Sequence, residues 1–128
     1  MSFVTVINCM DGRTQEPVNT YLKKKYNVKF VDVITEAGPN GILATRENEQ
    51  LVSSILSRVD ISVNKHNSTN IAIVGHYNCA GNPVPKEQNN KQTLEAVEYI
   101  RKKYPSLEVI GLWVGDDWKV IEIKINKH

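Results

Sequence analysis

Five residues in two short segments have the side chains of a metal site. Cys9, Asp11 and Arg13 lie in the first segment, and His76 and Cys79 lie in the second. Two thiolates and one imidazole are a natural ligand set for zinc, and three protein ligands leave the fourth tetrahedral position free for chemistry. Asp11 and Arg13 carry opposite charges two residues apart, which suits a charge-assisted contact beside the metal. Both cysteines of the chain fall in this pattern.

Each of these residues also has a simpler interpretation. A single cysteine at a strand end is more often a small buried hydrophobe than a ligand, and Asp11 with Arg13 can be a plain structural ion pair. The combination of Cys9, His76 and Cys79 favours ligation, because two thiols in a reducing compartment indicate a metal or catalysis more than a disulfide. A cysteine nucleophile activated by His76 is a weaker alternative.

The pattern of apolar residues predicts the elements that position these side chains. Four compact apolar runs predict β-strands: residues 3–7, 30–34, 71–74 and 109–114. Three stretches with apolar residues at helical spacing predict helices: residues 17–26, 48–63 and 94–104. Gly38-Pro39-Asn40-Gly41 predicts a turn. Gly115-Asp116-Asp117 predicts a tight turn into a last strand that includes Ile125.

This order of elements predicts an α/β fold. We expect a single domain over residues 1–128, with a central, mostly parallel sheet flanked by helices and a C-terminal antiparallel edge hairpin. Ligands in open α/β sheets bind beyond the carboxyl ends of the strands. Cys9 follows the first strand, and His76 and Cys79 follow the third. If these strands are neighbours, the three side chains meet in one crevice.

Composition excludes several classes of function. A chain of 128 residues is long enough for a core without disulfides. A net charge of +2 gives no indication of a nucleic-acid partner. The sequence has no apolar stretch long enough to span a bilayer and no secretory h-region at its N-terminus. We therefore expect a cytoplasmic protein with no membrane or nucleic-acid partner.

The two segments resemble the signature of the β-class carbonic anhydrases. That signature is Cys-x-Asp-x-Arg near the first strand and His-x-x-Cys after a later strand. Ile73-Val74-Gly75-His76 resembles the family's junction between strand and ligand, and Glu36-Ala37-Gly38 resembles its Asn-Ala-Gly segment. Leu112-Trp113-Val114, followed by a hairpin, resembles its last core strands, so the resemblance spans nearly the whole chain.

The resemblance implies a zinc lyase that reversibly hydrates carbon dioxide to bicarbonate. Cys9, His76 and Cys79 would be the zinc ligands, and zinc-bound hydroxide would attack carbon dioxide. Asp11 and Arg13 would be a catalytic dyad in which the arginine holds the aspartate away from the zinc. The resemblance also implies a homodimer or a higher homo-oligomer.

Three positions depart from the pattern of the family. Gly12 replaces a common serine, Glu36 replaces an asparagine, and Ala80 replaces the glycine after the second cysteine, with Gly81 displaced by one position. Two alternative functions therefore remain open. One is a carbonyl sulfide or carbon disulfide hydrolase of the same fold, which would need an apolar tunnel. The other is a non-catalytic zinc-binding interaction or sensor protein, with Asp11 permanently on the metal.

Several residues near the motifs have less specific predictions. Tyr77 and Asn78 lie between two predicted ligands and either contact substrate or pack. Trp113 and Trp118 are assigned to the core and the hairpin rather than to a pocket. His66, at the end of the longest helical stripe, is expected to be a solvated residue at a helix C-terminus.

Overall fold

The predicted strands form one five-stranded sheet in the computed structural model, which describes residues 2–124. In chain order the strands are β1 (Phe3–Cys9), β2 (Phe30–Glu36), β3 (Asn70–His76), β4 (Glu108–Val114) and β5 (Val120–Ile123). Their order across the sheet is β2-β1-β3-β4-β5. All neighbouring pairs are parallel except β4 and β5, which are antiparallel. The predicted α/β fold with an edge hairpin is confirmed, while Ile125 lies outside the described residues.

Helices cover both faces of this sheet. Within residues 2–124 the α-helices are α1 (Gln15–Tyr26), α2 (Pro39–Thr45), α3 (Glu49–Lys65) and α4 (Lys86–Lys103). Side chains of β1 alternate between the faces, with Val4 and Val6 in the cluster that contains α1 residues. Ile7 belongs to the opposite cluster, which contains residues of α2, α3 and α4. The core is therefore split between the two faces of the sheet.

One predicted turn and one predicted helix were wrong in extent. The segment predicted as a turn after β2 contains only a short turn, because Gly38 adopts a left-handed φ of 66° and Pro39 then begins α2. Proline is favoured at the first helical position, where its fixed φ already suits a helix. Helix α4 begins at Lys86, eight residues before the predicted start at residue 94. Its first turns bury Asn89 rather than an apolar residue, so hydrophobic periodicity does not reveal them.

The adjacency of β1 and β3 is the feature of the fold that matters for the site. These two strands pair in parallel through the centre of the sheet, so their carboxyl ends emerge side by side. A short 3-10 helix (Gly12–Thr14) follows β1. No helix among residues 2–124 is long and apolar enough to cross a membrane.

Candidate metal centre

The three predicted ligands lie together at the carboxyl ends of β1 and β3. Cys9 is the last residue of β1, His76 is the last residue of β3, and Cys79 lies in the loop that follows. Their potential ligand atoms are all within 4.8 Å of one another, and all three residues are buried. The condition stated from the sequence, that the first and third strands be neighbours, is met.

The spacing of the two sulfurs suits a shared metal ion. Cys9 Sγ and Cys79 Sγ are 3.9 Å apart, and both residues are free cysteines. Two thiolates bound to one tetrahedral zinc at about 2.3 Å each would have their sulfurs about 3.8 Å apart. The two side chains therefore fit one ion with little movement.

His76 has the hydrogen-bonding pattern of a metal-binding histidine. Its Nδ1 lies 2.7 Å from the carbonyl oxygen of Tyr77. Because a carbonyl can only accept, Nδ1 carries the proton and Nε2 presents its lone pair. Nε2 is buried and has no hydrogen-bond partner among the described residues. A hydrogen bond that fixes one ring nitrogen while the other coordinates is the usual arrangement in metal sites, so this unpaired acceptor fits a cation.

The two thiols have opposite shifts in pKa. A hydrogen bond from Cys79 lowers the pKa of Cys9 to about 4 despite its burial, and the backbone N–H groups of Gly38 and Asp11 contribute to the shift. The interaction with Cys9 raises the pKa of Cys79, and burial adds to the shift. The pair therefore loses its first proton easily and its second with difficulty. A dication that binds both sulfurs would displace the remaining proton.

Two loops pack closely around these thiols. A Cβ atom on Gly81 would lie 2.5 Å from the carbonyl carbon of Ala37, in the loop after β2. A Cβ atom on Gly38 would lie 2.8 Å from the carbonyl carbon of Gly81. Neither contact can be relieved by rotating a flexible side chain, since both involve backbone atoms. Glycine at both positions lets the loop that carries Cys79 approach the loop that contacts Cys9.

Asp11 and Arg13 form a bidentate ion pair next to the cluster. Arg13 Nε donates to Asp11 Oδ1 at 3.0 Å, and Arg13 Nη2 donates to Asp11 Oδ2 at 2.7 Å. The backbone N–H of Arg13 also donates to Oδ1, at 2.9 Å. Hydrogen bonding from Arg13 lowers the pKa of Asp11 to about 2, so this side chain is a carboxylate at neutral pH. Asp11 is not part of the group of mutually close ligand atoms in residues 2–124.

The ion pair has supports that the sequence did not reveal. Gln15 Nε2 donates to the carbonyl oxygens of Cys9, at 2.6 Å, and of Asp11, at 3.2 Å. Arg13 Nη2 also lies 3.3 Å from the carbonyl oxygen of Asn78 and 3.4 Å from its Oδ1. Asn78, left open between substrate contact and packing, thus contacts the predicted dyad. No sequence signal marked Gln15 for this role.

Trp118 lies closer to the site than the sequence indicated. Its ring is 4.5 Å from Arg13 Cζ and 6.4 Å from the ring of Tyr77. It belongs to the hairpin, as predicted, but its ring faces the dyad. Trp113 is buried, in agreement with its assignment to the core.

A buried amide network supports the loop that carries Cys79. Asn40 Nδ2 donates to Asn89 Oδ1 at 2.9 Å and to Thr93 Oγ1 at 3.0 Å. Asn82 Nδ2 donates to Asn40 Oδ1 at 3.3 Å. These side chains connect α2 and α4 to the loop, so the polar residues at the start of α4 contribute to the site. Sequence analysis missed this network, because it had assigned Asn40 to a turn.

Two further residues have partners of their own. Glu36, the residue in place of the family's asparagine, forms an ion pair with Arg58. His66 follows the last residue of α3, contacts Asp32 Oδ2 at 2.6 Å through Nδ1 and stacks on Phe3. Its predicted place at a helix C-terminus is correct, but it is held by other side chains.

A pocket lies beside Cys79 in the loop after β3. The pocket, of about 360 Å³, is lined by Cys79 and its neighbours in the same loop, which are Asn78, Ala80, Pro83 and Val84. Gly12 is also open, since no atom lies within 4 Å of the position that its Cβ would take. Glycine at this position therefore leaves free space beside the ion pair.

Comparison with known proteins identifies the family. Residues 1–124 match the family model described as "Putative carbonic anhydrase". The chain therefore belongs to this family of carbonic anhydrases, in agreement with the resemblance drawn from the two motifs. No curated protein matches the sequence.

Solved structures with a similar fold are β-carbonic anhydrases. One comes from a study of two tetrameric enzymes of the filamentous ascomycete Sordaria macrospora. It is 13% identical, has a TM-score of 0.58, and the match covers 98% of this chain and 82% of that chain. Another is the β-carbonic anhydrase CcaA, which is 11% identical with a TM-score of 0.58 over 97% of this chain and 81% of that chain. At these identities the likeness shows the fold.

Proposed function

We propose that this protein is a zinc-dependent carbonic anhydrase that reversibly converts carbon dioxide to bicarbonate. One observation carries the proposal: Cys9, His76 and Cys79 bring their ligand atoms within 4.8 Å of one another, and the buried Nε2 of His76 has no protein partner among the described residues. Membership of the carbonic anhydrase family supports the reaction. Zinc is favoured by the donor set of two sulfurs and one imidazole nitrogen.

The ligand residues would prepare the site before any substrate binds. The Tyr77 carbonyl keeps the proton of His76 on Nδ1, which leaves Nε2 available for coordination. Cys9 and Cys79, once both are thiolates, offset the double charge of the ion. Bound zinc would supply the Lewis acidity that lowers the pKa of a coordinated water to about 7 in favourable sites.

Asp11 and Arg13 would position the reacting groups. Arg13 occupies both lone pairs of Asp11 Oδ1, through Nε–H and its backbone N–H, and one lone pair of Oδ2, and it holds this side chain apart from the two sulfurs. The remaining lone pair of Oδ2 can accept a hydrogen bond from the attacking water and fix its orientation toward carbon dioxide. The pocket beside Cys79 provides a route for a small uncharged substrate.

Stopped-flow hydration of carbon dioxide tests this proposal, on protein whose zinc content has been assayed, from about pH 7 to pH 9. We expect hydration that disappears on chelation and returns when zinc is restored. Zinc at full occupancy without hydration at any pH in this range would contradict the proposal. Carbonyl sulfide and carbon disulfide would then be the next substrates to measure.

We also propose that the chain forms a homo-oligomer. Strand β2 is an edge strand of the sheet, and its Phe30 and Val33 are 43% and 37% exposed. An apolar edge strand invites pairing with another chain. Light scattering is expected to give a multiple of the 14.5 kDa chain mass, and a mass of 14.5 kDa at micromolar concentration would contradict the proposal.

A further inference from the structure

The hairpin between β4 and β5 has a turn that normally requires glycine. The backbone N–H of Trp118 donates to Gly115 O at 3.0 Å, and the backbone N–H of Gly115 donates to Lys119 O at 3.2 Å. This is a type I turn followed by a bulge, in which the residue after the turn takes a left-handed conformation. Trp118 occupies that position with a φ of 59°. A bulky side chain is unfavourable there, because its Cβ crowds the following carbonyl oxygen.

Trp118 is the unusual residue among those with this conformation. The other non-glycine residues with positive φ in residues 2–124 are three asparagines and an arginine: Asn27, Asn67, Asn78 and Arg46. Asparagine tolerates the left-handed region, whereas a large aromatic residue rarely adopts it. Such a conformation persists only where the surrounding structure imposes it, and these positions cluster at functional sites.

The left-handed backbone conformation of Trp118 places its indole ring against the predicted Asp11–Arg13 dyad. The ring lies under the guanidinium of Arg13, at 4.5 Å from Cζ, which is the geometry of a cation–π contact. The ring of Tyr77 meets it edge-on, at 6.4 Å between centroids. The ring of His76 is also 6.4 Å away. Trp118 therefore joins the hairpin to the carboxyl ends of β1 and β3.

Arg13 needs such support because it is not buried. Its side chain is 48% exposed, and an exposed ion pair alone holds a long side chain only weakly. Contacts from three separate segments act on the guanidinium: the carboxylate of Asp11, the oxygens of Asn78 and the face of Trp118. The Trp118 ring packs against the guanidinium, while Nε–H and Nη2–H still donate to the carboxylate.

We propose that Trp118 is a positioning residue that holds Arg13 in its bidentate contact with Asp11. Without the indole, Arg13 would sample other rotamers, and Asp11 would be free to leave its present orientation. The proposal rests on the proposed function for its catalytic meaning. The geometric part concerns Arg13 alone and can be measured whether or not the protein hydrates carbon dioxide.

The test is nuclear magnetic resonance of the arginine side chains in the full chain, metal-free and with zinc, for the native protein and Trp118→Gly. Glycine is the residue that this turn prefers, so we expect the variant to fold. We expect the Arg13 Nε–H signal to lose its ring-current shift and to exchange with water about two- to fivefold faster, as loss of an exposed cation–π contact implies. Trp118→Asn, which also suits the turn, is the second variant and should behave in the same way.

A second cation–π pair provides the matched control. Arg46 Cζ lies 4.7 Å from the ring of Tyr99, in another part of the molecule. Tyr99→Leu should change the Arg46 signal and leave the Arg13 signal unaltered. Unchanged exchange of the Arg13 Nε–H with water in either folded Trp118 variant overturns the proposal, whatever happens to its chemical shift.

Kinetics separate this proposal from the proposed function. If the native protein hydrates carbon dioxide, the Trp118 variants should keep their zinc and lower kcat more than they raise KM, and Trp118→Phe should recover part of kcat. A loss of zinc from both variants would assign Trp118 to metal retention and overturn the positioning role. If the native protein shows no hydration, the proposed function fails, and the Arg13 signals still decide the role of Trp118.

Discussion

Replacing Gly81 with alanine tests the close packing of the two loops around the metal centre. The added Cβ would lie 2.5 Å from the carbonyl carbon of Ala37 and 2.7 Å from its Cβ and carbonyl oxygen. Atoms at these separations overlap, and the backbone of one loop must move because no flexible side chain can yield. Since Gly81 lies two residues after Cys79, this movement is transmitted to a predicted ligand.

The expected effect is a loss of stability and of metal affinity. Overpacking of a closely packed site typically costs about 1–3 kcal/mol. For a chain of this length, each kcal/mol lowers the melting temperature by about 3–6 °C. We therefore expect Gly81→Ala to lower Tm by about 3–18 °C. We also expect zinc affinity to fall by about 10- to 100-fold, as it does when the surroundings of a ligand are altered.

Gly12→Ala is the matched control for this experiment. Gly12 also belongs to the site, but no atom lies within 4 Å of the position of its Cβ. The same substitution should therefore leave the free energy of unfolding unchanged or raise it by up to about 1 kcal/mol. Thermal unfolding followed by circular dichroism, together with competition for zinc by a chelator, measures both variants. Equal Tm values for the two variants, or a greater loss in Gly12→Ala, would refute the packing argument.

Three further substitutions test separate parts of the site and the fold. Cys79→Ser should remove stoichiometric zinc, as measured by atomic absorption, and unchanged zinc content would remove Cys79 from the ligand set. Asp11→Ala should retain zinc but lose most hydration activity in stopped flow, and loss of the metal would contradict its proposed role. Ser62→Ala should cost about 1–3 kcal/mol in urea unfolding, because Ser62 is buried and hydrogen bonds Thr5 at 2.6 Å. Ser53→Ala, at an exposed position of the same helix, should be nearly neutral, and equal losses would refute this reasoning.

Apolar periodicity was sufficient to predict the four main strands and to place the candidate ligands at strand ends. Runs such as residues 3–7 and 71–74 are too short and too apolar for surface helices, and both form central strands. Because Cys9 and His76 end these strands, strand adjacency alone brings them together. The sequence therefore predicted that the candidate ligands meet if the first and third strands are neighbours, and the structure supplies that adjacency.

Polar residues in the core account for the elements that the sequence analysis missed. The start of α4 buries Asn89 and Thr93, which satisfy each other and Asn40 instead of forming an apolar stripe. The short helix α2 begins within a glycine- and proline-rich segment that is typical of a turn. Such elements depend on long-range hydrogen bonds, and these have no periodic signature.

Sequence patterns also did not predict the contacts that other residues make with Asp11 and Arg13. The charges of Asp11 and Arg13 indicated a pair, but nothing in the spacing indicated that Trp118, more than one hundred residues later, would cover it. The signal is a steric one: a large residue stands where the turn favours glycine. It could be recognised only after the turn type was known.

Zinc titration of the metal-free protein, with carbon dioxide hydration measured at each addition, tests the central claim most directly. The claim is that Cys9, His76 and Cys79 hold one zinc ion per chain and that this ion supports hydration. We predict that the rate rises linearly and stops rising at one equivalent of zinc, while Cys79→Ser stays at the rate of the uncatalysed reaction. Binding of one equivalent without any increase in rate would contradict the claim.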